Sequence, residues 1–77
     1  MEEFTIIEAA IHFEVDKDDL YLMLSALEIE FHPDGSAPRA VSRRAVLDGK
    51  ELKVLYRRDD IEAALALRAA KLLGYGG

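Results

Sequence analysis

A chain of 77 residues, 51% hydrophobic and 32% charged, is too apolar for disorder and too short for two cores, so it reads as one small folded domain. At this size roughly 60 to 65% of the unfolded surface is buried on folding, which leaves a modest core and no room for a large enclosed substrate cavity. Without cysteine there is no disulfide, thiolate nucleophile or Cys-based metal site, and a formal net charge of −5 opposes phosphate backbones on average.

Thr5 with Glu8 three residues on has the spacing of a capping box, so a short helix is expected over residues 5–13 with Ile7, Ala10 and Ile11 on its inner face and Val15 as a core plug after the turn. Asp16 then caps a second helix. Its first turn holds Lys17, Asp18 and Asp19, and Leu20, Met23, Leu24 and Leu27 make the core-facing stripe to about Leu27 or Glu28. From Ile29 through Phe31 the pattern reads as a strand running into the breaker cluster His32 to Pro38. Residues 40–47 are ambiguous between a strand and a helical turn. Asp48-Gly49 is a turn signal, and Leu52, Val54 and Tyr56 alternate on one face of a strand, so residues 29–56 form a β-wing.

Asp59 or Asp60 is expected to cap the last helix, with Ile61, Leu65, Ala69 and Leu72 inward and Gly74 closing it. Ala63, Ala66, Leu67 and Ala70 form a second strip on that helix. The strip either offers a contact for a partner or a second copy, giving a homodimer, or serves helix propensity alone. The fold class expected is α+β, mostly α. A cytoplasmic setting is also expected, because no apolar run approaches the ~20 residues of a membrane span and Met1-Glu2-Glu3 lacks a signal peptide's basic start.

Charge is unevenly spread. Residues 1–38 carry ten acids and one base, residues 39–58 two acids and seven bases. Arg39, Arg43, Arg44, Lys50, Lys53, Arg57 and Arg58 are therefore either a phosphate-binding edge or the ordinary charges of a solvated strand and loop. Catalysis is not indicated. The serines have no glycine elbow or histidine at a recognisable spacing, no phosphate-binding glycine loop occurs, and the acid pairs Asp18-Asp19 and Asp59-Asp60 stand where helix capping explains them. His12 and His32 lie in different elements without metal-ligand spacing, so neither a metal nor another cofactor is expected.

The order helix, tight turn, helix, wing, helix resembles the MerR-like winged helix-turn-helix superfamily, and the residues resemble its excisionase branch. Phe4-Thr5-Ile6-Ile7-Glu8-Ala9-Ala10 is similar to the family's opening Thr-x-x-Glu-Ala-Ala, and Val15-Asp16 stands in the place of its Val-Ser. Leu20-Tyr21 and Leu27-Glu28-Ile29 resemble the recognition helix and its exit, Val54 to Glu62 the wing strand and acidic cap, and Leu72-Leu73-Gly74-Tyr75 the ending of such domains. The resemblance implies a small phage- or mobile-element-type regulator or architectural protein that lays its second helix in the major groove of double-stranded DNA and its wing on the backbone. Lys17, Tyr21 and Ser25 would join the basic stretch as contacts. Where the family places Arg or Lys, however, this chain has Asp18 and Leu22, which leaves the wing to supply most of the affinity. The alternative is a MerR-like adaptor or inhibitor, similar to the superfamily's chaperone modulators, that holds a basic protein through Asp18, Asp19, Tyr21, Leu22 and Glu28.

Overall fold

The computed structural model describes residues 2–29 and 40–72, and for 70–72 the backbone alone. Phe31, the cluster from His32 to Pro38, Arg39, Gly74 and the Leu72 to Tyr75 ending therefore lie outside what is described side chain by side chain. The chain runs β1 (Glu3–Phe4), α1 (Ile6–His12), α2 (Lys17–Ile29), β2 (Arg43–Asp48), β3 (Glu51–Arg57) and α3 (Arg58–Leu72). The strands form one antiparallel sheet in the order β1-β3-β2, which makes a mostly helical α+β domain, as expected. No helix among the described residues is long and apolar enough to cross a membrane.

Both N-terminal helices start as the sequence dictates. The Glu8 amide donates to Thr5 Oγ1 at 3.2 Å and the Thr5 amide donates to Glu8 Oε1 at 2.9 Å, so two amides left without helical partners are satisfied reciprocally. Asp16 accepts from the amides of Asp18 and Asp19 at 3.1 and 3.0 Å. Between the helices Glu14 takes φ 56°, a left-handed conformation that crowds its Cβ and tightens the turn. The α2 stripe is as read: Leu20, Leu24 and Leu27 are buried with Ala26, and Met23 packs against them. Each such leucine contributes about 1.5 to 3 kcal/mol on burial.

The inward face departs from the one the spacing suggests in α1 and in part of α3, where Ile61 is buried and Leu65 packs against the core as expected. In α1, Ala9 is fully buried while Ile7 and Ile11 are 58% and 74% exposed. The segment Ile6 to Ile11 is apolar at five of six positions, so periodicity alone leaves its phase open, and the docking of Ile6 and Phe13 on the core decides it. In α3 the buried positions are Asp60, Ile61, Ala64 and Leu67, while Leu65 is half-buried and Ala69 exposed. Leu67 thus belongs to the core rather than to an outer strip, and of that strip Ala66 is exposed and Ala63 half-buried. The phase is set by Asp60, 2% exposed, which accepts the Ser42 amide at 3.0 Å and ties the entry of β2 to α3. Because α3 begins at Arg58, Asp59 and Asp60 sit in its first turn instead of capping it.

Ile29 ends α2 and does not begin a strand. The ambiguous stretch resolves as strand β2, joined to β3 by the two-residue loop Gly49-Lys50, with Gly49 at φ 64° supplying the left-handed turn residue. β1 has no counterpart in the sequence reading, since two residues are too few to alternate. It pairs Glu3 with Arg57 and Phe4 with Tyr56, closing the sheet over α1.

Candidate functional site

The hairpin has two unlike faces, and its register assigns every side chain to one of them. Directly opposed residues share a face, so Arg43, Ala45 and Leu47 stand beside Tyr56, Val54 and Leu52 on one side, and Arg44, Val46 and Asp48 beside Leu55, Lys53 and Glu51 on the other. Near the root the first face is core: Tyr56 is 5% exposed and the Arg43 guanidinium lies 5.6 Å from its ring centroid. Towards the loop the same face is uncovered. Leu47 and Leu52 are 75% and 66% exposed, and Val54 is also exposed.

The basic stretch does not form a free positive surface. Arg43 makes a two-pronged pair with Glu28 of α2 at 3.0 and 2.5 Å, and Arg44 a similar one with Glu3 of β1 at 2.6 to 3.2 Å. Lys53 meets Asp48 at 2.8 Å, Arg57 lies 3.4 Å from Asp59, and Arg58 reaches Glu2 at 2.6 Å and Glu62 at 3.6 Å. Arg57 Nε is shielded from solvent and has no hydrogen-bond partner. Among the described cations of this stretch Lys50, at the hairpin tip, has no carboxylate partner. The carboxyls of Glu3, Glu28 and Asp48 are held below their ordinary range by hydrogen bonds from Arg44, Arg43 and Lys53, and those three cations are raised in turn.

The second helix carries what the sequence left on its outer side, but part of it is engaged. Ser25 Oγ donates to the Tyr21 carbonyl at 3.1 Å, and Lys17 Nζ lies 3.4 Å from the Asp18 carboxylate. Asp19 binds Arg68 of α3, and Glu28 is taken by Arg43. Of the five residues expected to face a basic protein, Asp19 and Glu28 therefore pin α2 to its neighbours, while Asp18, Tyr21 and Leu22 stay exposed. Their charge is spent locally because Asp19, in the first turn of α2, meets Arg68 of α3, and Glu28, next to its last residue, meets Arg43 of β2.

What sequence reasoning missed is a groove of about 510 Å³ where α1, α2 and the hairpin converge. Its lining includes Ile7 and Glu8 of α1, Tyr21 of α2, and Glu51, Leu52 and Val54 of β3. The sequence pattern places Ile7 on a helix face with Ala10 and Ile11, and Leu52 and Val54 on one face of a strand with Tyr56. Only the tertiary arrangement shows that these apolar groups face a common open space. His12 is not part of it, since its ring packs 5.2 and 4.8 Å from those of Phe4 and Phe13. Among the described residues no group of three or more His, Asp or Glu is placed to hold a metal ion. Comparison with protein-family models, with curated proteins and with solved structures finds no match to this chain.

Proposed function

We propose that this chain is a non-enzymatic winged-helix module whose groove between α1, Tyr21 and the distal hairpin binds a protein partner. The observation that carries it is the uncovered apolar surface contributed by three elements at once: Ile7 58%, Tyr21 54% and Leu52 66% exposed around one concavity. Apolar side chains scattered singly on a surface need no explanation, but convergent ones that line a groove mark a contact site. The order α1, α2, hairpin, α3 supports the winged-helix reading.

Double-stranded DNA, to which the resemblance points first, is the less supported target. Affinity for it comes from cations free to release counterions from phosphates. Arg43, Arg44, Lys53, Arg57 and Arg58 each face a carboxylate, so a phosphate would replace an existing pair in place of making a new one. Asp18 and Leu22 put neither charge nor donor where a major-groove helix needs them.

A salt titration of binding to mixed-sequence duplex DNA from about 50 to 200 mM decides between the two. The expected result is no micromolar binding, in wild type and in Arg43→Ala, Arg44→Ala, Arg57→Ala alike. Micromolar binding that weakens steeply with salt, and whose slope falls by about one for each arginine removed, would restore the DNA reading. In parallel, a partner held by immobilised wild type should be lost with Tyr21→Ala and with Leu52→Asp, both at exposed positions that leave the fold intact.

A further inference from the structure

We propose that the groove is a strand-addition site, in which the free edge of β3 from Glu51 to Val54 takes up an extended peptide with alternating apolar and basic side chains. This rests on the protein-partner reading above.

The backbone makes the case first. In an antiparallel hairpin with a two-residue loop the residues flanking the loop exchange hydrogen bonds, so Asp48–Glu51, Val46–Lys53 and Arg44–Leu55 are the bonded pairs of the ladder. The alternate residues Leu52, Val54 and Tyr56 then direct their N–H and C=O to the opposite edge. An independent contact agrees with this phase: the Arg58 amide, two residues beyond Tyr56, donates to the Glu2 carbonyl at 3.1 Å on the β1 side. β1 meets β3 only at Tyr56 and Arg57, because Thr5 caps α1 and turns the chain away. Among the described residues the edge groups of Leu52 and Val54 are thus without a strand partner, in line with β1. The groove is lined by four consecutive residues of β3, Glu51 to Val54, which is how a groove along an edge differs from one against a single face.

The side chains then select the occupant. A strand laid antiparallel to β3 places every second side chain on the face of Leu52 and Val54, beside Ile7 and Tyr21, where apolar groups fit. The intervening side chains fall on the face of Glu51 and Lys53. Lys53 is already paired with Asp48 at 2.8 Å and lies within the influence of Glu51 and Glu8. Even with Lys50 at the tip, three carboxylates meet two ammoniums, leaving net negative charge for a basic residue to meet. The same excess, and the net charge of −5 on each chain, disfavours a second copy as the occupant.

The test uses end-blocked peptides of about ten residues that alternate Val, Ile, Leu or Phe with Lys, titrated into the isotope-labelled full chain while amide exchange is followed. Binding should slow exchange at Leu52 and Val54. N-methylating the peptide on one alternating set of residues should weaken binding at least about tenfold, and on the other set leave it unchanged, because only one set donates to the edge. Equal effects of both sets, binding mapped to Leu22 instead, or no binding at millimolar peptide would each overturn strand addition. Slow exchange at Leu52 and Val54 that rises with protein concentration in the absence of peptide would also overturn it, by giving the edge to a second copy. None of these results touches the DNA titration, so a failure of strand addition and a failure of the protein-partner reading are read separately.

Discussion

The two ends of one hairpin alternate apolar and polar residues in the same way and have opposite fates. At the root, Tyr56 is buried under Arg43, Arg43 and Arg44 are clamped by Glu28 and Glu3, and the Ser42 amide is held by Asp60. At the tip, Leu47 and Leu52 stand opposite each other across the strands and remain largely exposed, Leu52 bordering the open groove rather than packing into the core. Alternation thus states which residues share a face of a sheet. It is silent on whether the chain itself covers that face. The half that is covered folds the protein, and the half that is not is where a partner is to be sought.

Substitutions sharpen this contrast, the largest effect coming at the root. Tyr56→Ala should cost about 3 to 5 kcal/mol in urea unfolding, as truncating a buried aromatic does, whereas an equal loss from Leu52→Ala would show that the tip is packed too. Asp60→Ala should cost about 1 to 3 kcal/mol, because it strands the Ser42 amide, and Asp60→Asn, which keeps an acceptor, should lose less. Thr5→Ala removes one side of the capping box of α1 and should cost about 1 kcal/mol by thermal unfolding.

The acid limb of stability should follow the clamps. Glu3, Glu8 and Glu28 titrate below their ordinary value of 4.5, the first and last through Arg44 and Arg43 and Glu8 through the Thr5 amide. A carboxylate lowered on folding adds stability that is fully present above its unfolded value and is lost as pH falls through the folded one. The melting temperature should therefore be flat above about pH 5 and fall below about pH 4. Arg44→Ala should make that fall shallower, since Glu3 then titrates nearer its unfolded value. The smallest effect belongs at the tip, where Leu52→Ala should change stability by less than about 0.5 kcal/mol.

How far the sequence carried this picture follows from what each signal measures. Capping chemistry is local, so Thr5 with Glu8 and Asp16 with its two amides were legible before any packing was known. The α2 stripe was legible because its polar side is polar. In α1 and α3 isoleucines and alanines occupy both sides, and the inward phase came from Ala9, Phe13 and Asp60 meeting residues distant in the chain. The pairing of Arg43 with Glu28 and of Arg44 with Glu3 spans 15 and 41 residues, so a charge count along the chain gave a basic patch where the fold places neutral pairs. The groove was invisible for the same reason. Its walls come from three elements, and each apolar wall residue had a plausible place in a core.

Residue-resolved amide exchange on the free chain tests the central claim, that the edge of β3 is open at the tip and closed at the root. Protection should be high at Tyr56 and at Lys53 and Leu55, which bond within the sheet, and low at Leu52 and Val54, which do not. Protection of Leu52 and Val54 equal to that of their neighbours, in dilute protein without any ligand, would mean the edge is already covered and would contradict the account.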